Sequence, residues 1–99
     1  MSAFPLRMVY LTQDAQEGDE PVQLLLSVPK RRLRHAVDRN RVKRQLREAY
    51  RRHKETLYSA LPQGRRLVLA LVWQSGQRQS SADIEQRVAV LIQRLAEKL

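Results

Sequence analysis

The sequence predicts an α+β domain, a two-layer α/β sandwich in the order β-β-α-β-α with two helices on one face of a small sheet. Three observations predict it. Short apolar runs at Leu6–Leu11, Val22–Val28 and Leu67–Trp73 have strand length. Two longer segments repeat apolar residues at helical spacing. Polar stretches holding proline or glycine separate them.

Leu6 to Leu11 reads as the first strand, with Met8 and Tyr10 on one face and Arg7 and Val9 on the other. The five residues ahead of it, Met1 to Pro5, read as a frayed terminus. Thr12 to Glu20 is polar and acidic and contains Gly18, which suits a hairpin loop. The second strand, Val22 to Val28, sets Val22, Leu24, Leu26 and Val28 against Gln23, Leu25 and Ser27. Pro21 and Pro29 bracket it, because proline cannot donate to a ladder.

A helix follows from Ala36 to Tyr58. Val42, Leu46, Ala49, Tyr50, His53 and Leu57 recur at spacings of four, three, one, three and four, which makes one apolar stripe. Lys43, Arg47, Lys54, Asn40, Arg51 and Arg44 fall on the adjoining arc of about 100°. Pro62 and Gly64 punctuate the end of the helix. Leu67 to Trp73 (LVLALVW) is apolar without interruption, as in a central strand covered on at least one face. Ser80 or Ser81 caps a final helix, with Asp83 favourable in its first turn. Ile84, Val88, Leu91, Ile92, Leu95 and Leu99 form its buried stripe. At 99 residues the chain suits a single domain spanning 1–99.

Charge is the strongest functional signal. Twelve of the nineteen lysines and arginines lie between Lys30 and Lys54, with only Asp38 and Glu48 among them, so this stretch alone carries +10. The other 74 residues hold seven bases and eight acids. An ordinary solvated helix face interleaves acids with its bases. A patch this dense repels itself unless a polyanion meets it, and nucleic acid is the expected partner. Arginine suits the task because its planar fork donates to two phosphate oxygens at once. Asn40 sits near the helix start, where free backbone N–H groups favour anions.

Other classes fall away. Without cysteine there is no disulfide, thiolate metal site or cysteine nucleophile. No apolar run approaches the roughly 18 residues a bilayer requires, and Met1 to Leu11 lacks the pattern of a signal peptide. A membrane-surface helix is disfavoured because the apolar stripe is needed for the core. A cytoplasmic location is therefore expected. His35 and His53 are eighteen residues apart, and His53 reads as the edge of the core. Asp83 and Glu85 read as first-turn helix residues rather than a metal pair, and Trp73 reads as core. No catalytic residue and no protein metal site are expected.

The basic stretch also resembles a known family, the protein subunit of bacterial ribonuclease P. The resemblance rests on Ser27-Val28, Lys30-Arg31-Arg32, and the sixteen residues Ala36-Val37-Asp38-Arg39-Asn40-Arg41-Val42-Lys43-Arg44-Gln45-Leu46-Arg47-Glu48-Ala49-Tyr50-Arg51. It implies a left-handed β-α-β crossover, shared with the second domain of a small-subunit ribosomal protein, where the general rule would give a right-handed one. It also implies that the catalytic subunit is RNA, that Mg²⁺ is held mainly by that RNA and the substrate, and that the substrate is precursor tRNA.

By the same resemblance, Lys30, Arg31, Arg32, Arg39, Asn40, Arg41, Lys43, Arg44, Arg47 and Arg51 contact RNA. Tyr10, Met8 and Ser27 line a cleft for the single-stranded 5′ leader on the open sheet face. A half-buried strand aromatic accounts for Tyr10 equally well. Family members carry a helix before the first strand, and the five residues present here are too few to form it. The uncovered sheet face would then favour self-association. A non-catalytic RNA-binding protein of ribosomal type is the alternative reading.

Overall fold

The computed structural model describes residues 1–99. Its elements are β1 (Ser2–Ala3), β2 (Leu6–Asp14), β3 (Val22–Ser27), α1 (Ala36–Ala60), β4 (Arg65–Trp73) and α2 (Ser81–Lys98). The four strands form one mixed sheet in the order β1-β2-β4-β3. The α+β sandwich is as expected. Its strand pairing differs from the expectation in one important respect.

Leu6–Leu11 and Val22–Val28 do not form a hairpin. β2 runs antiparallel to β4 from Leu6↔Trp73 to Asp14↔Arg65, and β3 runs parallel to β4 from Val22↔Leu67 to Ser27↔Val72. The reason lies in β4. It is the most apolar strand, and at the centre of the sheet its backbone groups are paired on both sides rather than left at an edge. β2 and β4 also extend beyond their apolar residues. Arg65 bonds the Thr12 hydroxyl at 3.2 Å and pairs with Asp14, which holds the ladder together at its polar end.

Met1 to Pro5 is ordered rather than frayed. Ser2 and Ala3 pair with Arg7 and Leu6, and Met1 and Met8 exchange backbone bonds of 2.8 and 3.1 Å. Arg87 and Arg94 of α2 donate to the Phe4 and Ser2 carbonyls at 3.1 and 3.2 Å, tying the strand to the helix.

The helices begin and end for local reasons. Ser80 Oγ accepts from the Asp83 N–H at 3.1 Å, a side-chain cap on α2. α1 has no such cap at His35, and Asp38 supplies the favourable charge in its first turn. At the other end the Leu61 N–H bonds the Leu57 carbonyl at 3.0 Å. The chain then turns at Gly64, whose φ of +83° favours glycine.

Both apolar stripes face the same side of the sheet. Leu6, Met8, Leu67, Leu69, Leu71 and Trp73 are buried there against Val42, Leu46 and Leu57 of α1 and Ile84, Val88, Leu91 and Leu95 of α2. The other side has no covering layer. Val9, Ala70 and Leu25 align across three strands, as do Leu11, Val68 and Gln23. Val9, Leu11 and Leu25 are 48%, 59% and 48% exposed.

This asymmetry sets mutational costs. Leu69→Ala should destabilise the fold by about 2–5 kcal/mol through a core cavity. Leu11→Ala, on the open face, should stay within about 0.5 kcal/mol. Denaturant unfolding of the two variants checks both values.

Candidate nucleic-acid interface

α1 buries one stripe and turns the adjoining flank outward. Along that flank stand Asn40, Lys43, Arg44, Arg47, Arg51 and Lys54. Arg44, Arg47 and Arg51 are exposed, and Lys43 and Lys54 are half-buried. The two acids within the basic stretch are both engaged. Glu48 takes Arg51 (Nε to Oε2 at 3.2 Å) and Arg52 (3.5 Å), and Asp38 takes Arg78 at 3.6 Å. The hydrogen bond from Arg51 lowers the Glu48 pKa and raises that of Arg51, so both remain charged.

Lys30, Arg31, Arg32, Arg34, Arg41, Lys43, Arg44, Arg47 and Lys54 make no ion pair within the chain. They are the cations left for an external anion. The connector residues Lys30, Arg31, Arg32 and Arg34 are all exposed, just ahead of the helix.

The geometry divides the residues that the resemblance groups together. Arg39 points back into the connector, where its Nη1 donates to the Leu33 and Arg34 carbonyls at 3.0 and 2.7 Å. Its first role is to fold the connector against the helix start. Arg41 lies about 160° around the helix from Lys43. Gln45 donates to Gln79 O and Ser81 Oγ at 3.3 and 2.9 Å and joins α1 to the start of α2.

The three residues expected in the leader cleft also part. Ser27 is exposed on the open sheet face. Met8 is 1% exposed and belongs to the core, a correction to its expected place in an open cleft. Tyr10 lies opposite the buried Leu69 on the helix-covered face and is 36% exposed. The strand alternation does put Met8 and Tyr10 together, but toward the helices. The reason is that Leu6 and Met8 complete the packing around Trp73 and Leu71, their partners across the sheet.

One part of the site escapes sequence reasoning. Between α1 and β3 lies a groove of about 480 Å³, lined by Leu24, Leu25, Leu26, Lys43, Arg47, Tyr50, Arg51 and Lys54. Lys54 stands 5.8 Å from the Tyr58 ring centroid, a cation–π contact. Burial, with Tyr58 and Glu20 nearby, pushes the Tyr50 phenol well above its ordinary range, so it stays neutral. Lys54 was legible from its place on the basic arc. The three leucines carried no signal, because only the sheet order puts β3 beside this flank.

The remaining titratable groups tie helix to helix. His53 Nε2 is 3.3 Å from Glu85 Oε1, and Arg52 reaches the other oxygen of Glu85 at 3.2 Å. No three His, Cys, Asp or Glu side chains converge as metal ligands.

A family model described as Ribonuclease P matches residues 2–96. The chain belongs to this family. Among curated relatives it is similar to the ribonuclease P protein component of Chlorobium phaeobacteroides, 44% identical over 52 residues, 52% of this chain and 36% of the relative. The Porphyromonas gingivalis component is 47% identical over 58 residues, 59% of this chain and 42% of the relative. The matched segments thus span well under half the length of these relatives. No solved structure gives a significant match. Membership accounts for the order of basic residues along α1, and the geometry says which of them are free to act.

The position of Arg39 gives a test. Arg39→Ala removes two hydrogen bonds, each worth about 0.5–1.5 kcal/mol, and should release the connector. Limited trypsin digestion should then cut between Lys30 and Arg34 faster than in the parent protein, while Arg44→Ala leaves that rate unchanged.

Proposed function

We propose that this chain is the protein subunit of ribonuclease P, assisting an RNA catalyst in the endonucleolytic removal of 5′ leaders from precursor tRNA. The observation that carries this reading is the row of cations without a counter-charge on α1 and its connector, in a chain of this family. Such a surface gains affinity by displacing the counterions condensed on RNA. Lys30, Arg31, Arg32, Asn40, Lys43, Arg44 and Arg47 would meet the catalytic RNA. Arg51 would join them through donors not used by Glu48, and Arg41 would reach a different strand from the opposite side of the helix.

The protein's part is charge neutralisation and positioning, and its side chains supply no nucleophile or acid–base pair. Mg²⁺ would be held by the RNA and the substrate, where it supplies stabilisation of the attacking and leaving oxygens. The leader would lie along the open sheet face, over Val9, Leu11, Leu25 and Ser27 with Arg7 at the border. That face offers apolar contact in place of aromatic stacking, since Tyr10 is turned to the other side. The same uncovered face would favour self-association when no RNA is bound. The work belongs in the cytoplasm, and no helix of the chain is long and apolar enough to cross a membrane.

Adding the protein to the catalytic RNA at low Mg²⁺ should restore cleavage of precursor tRNA at the mature 5′ end. Unchanged cleavage alongside intact RNA binding would refute the subunit reading. If about six cations meet phosphates, affinity should fall on the order of 10²–10³-fold between 50 and 200 mM salt. The double variant Arg44→Ala with Arg47→Ala should bind RNA more weakly and with a shallower salt dependence. Its thermal midpoint should be nearly unchanged, since both side chains are exposed and free of partners.

A further inference from the structure

The groove between β3 and α1 brings together three kinds of chemistry. Its rim carries Lys43, Arg47 and Lys54, none of which forms an ion pair within the chain. Its floor is apolar, made by leucines of β3 and the buried Tyr50. The third component is backbone.

β3 is the last strand of the sheet, so one of its edges has no partner strand. In a parallel ladder each residue turns its N–H and C=O to the same side, and successive residues alternate. Leu67 N donates to Pro21 O at 2.8 Å, and Leu67 stands opposite Val22. That phase points Pro21, Gln23, Leu25 and Ser27 toward β4. The N–H and C=O groups of Leu24 and Leu26 therefore face outward along the groove.

We propose that this groove receives one unstacked nucleotide of a single-stranded RNA segment. Its phosphates sit on Lys43, Arg47 and Lys54. Its base lies against Leu24, Leu26 and Tyr50, with its hydrogen-bonding edge on the free backbone groups of β3. The inference rests on the RNA-binding reading above and adds to it which form of RNA this part of the basic helix takes.

Charge complementarity selects an anion, yet phosphates alone would leave the apolar floor and the strand edge uncovered. A duplex keeps its base edges paired and could touch only the rim. An unpaired nucleotide offers an anionic backbone, a flat apolar face and unsatisfied donors and acceptors together. The groove volume of about 480 Å³ falls within the range of clefts that enclose small ligands.

The test uses the full chain, labelled with ¹⁵N and titrated with a single-stranded hexaribonucleotide. Parallel titrations use the same strand with an abasic residue at each position in turn, a duplex of equal charge, and oligoglutamate. The intact strand should move the Leu24 and Leu26 amide resonances. One abasic position should weaken binding about tenfold without changing the salt dependence. Equal affinity of every abasic strand for the protein would overturn the proposal. Movement of the same amides as strongly by the duplex would reduce the groove to a phosphate patch, and by oligoglutamate to a peptide-binding edge. The titration needs no catalytic RNA, so the two readings fail separately. Restored tRNA cleavage with unmoved Leu24 and Leu26 amides overturns the groove alone, whereas moved amides without cleavage overturn the subunit assignment alone.

Discussion

The rest of the molecule depends on the parallel pairing of β3 with β4. Two adjacent parallel strands cannot be joined by a tight turn, so the chain must leave the sheet and return at the opposite end. α1 makes that return. Its 25 residues are held down by Val42, Leu46, Ala49, Tyr50 and Leu57, and this contact fixes the rotation of the helix about its own axis. Once the apolar stripe is seated, the basic flank has only one direction to face, outward beside the free edge of β3.

The seating of α1 also explains how so much like charge is tolerated. The repulsion among the cations acts along one helix, but that helix is anchored by a continuous core rather than by its own propensity. Glu48 and Asp38 offset part of the repulsion, each through contacts to arginine. The bonds of Arg39 fold the connector onto the helix start, and those of Gln45 to Gln79 and Ser81 tie the first half of α1 to the start of α2. What is left unpaired is presented on a rigid support. Rigidity matters for binding RNA, because side chains already placed need less ordering when they engage a phosphate.

The two faces of the sheet have been put to different uses. One holds the core and cannot be opened, as the burial of Met8 and Trp73 shows. The other is an apolar surface with Arg7 and Arg66 near its borders and no layer over it. This division follows from the alternation of side chains along strands. A residue's parity in the strand decides its face, so Tyr10 follows Met8 toward the helices while Val9 and Leu11 are turned away from them.

Much of this was legible in the residues alone. The stripes at Val42–Leu57 and Ile84–Leu95, the unbroken LVLALVW run and the Ser80 cap are local patterns, and each formed where it was read. The Arg-Asn-Arg and Lys-Arg spacings by themselves point to RNA and to the family. Three features were not legible there. The partner of Val22–Ser27 was decided by the demand of β4 for neighbours on both sides, a property of the whole sheet. The covered face of Leu6–Leu11 was decided by where the helices could pack. The groove of Leu24 and Leu26 beside Lys43, Arg47 and Lys54 joins residues from two separate elements, β3 and α1. Periodicity along one segment determines which of its side chains share a face. Only tertiary packing, which must satisfy every buried backbone group and fill the core at once, determines what that face meets.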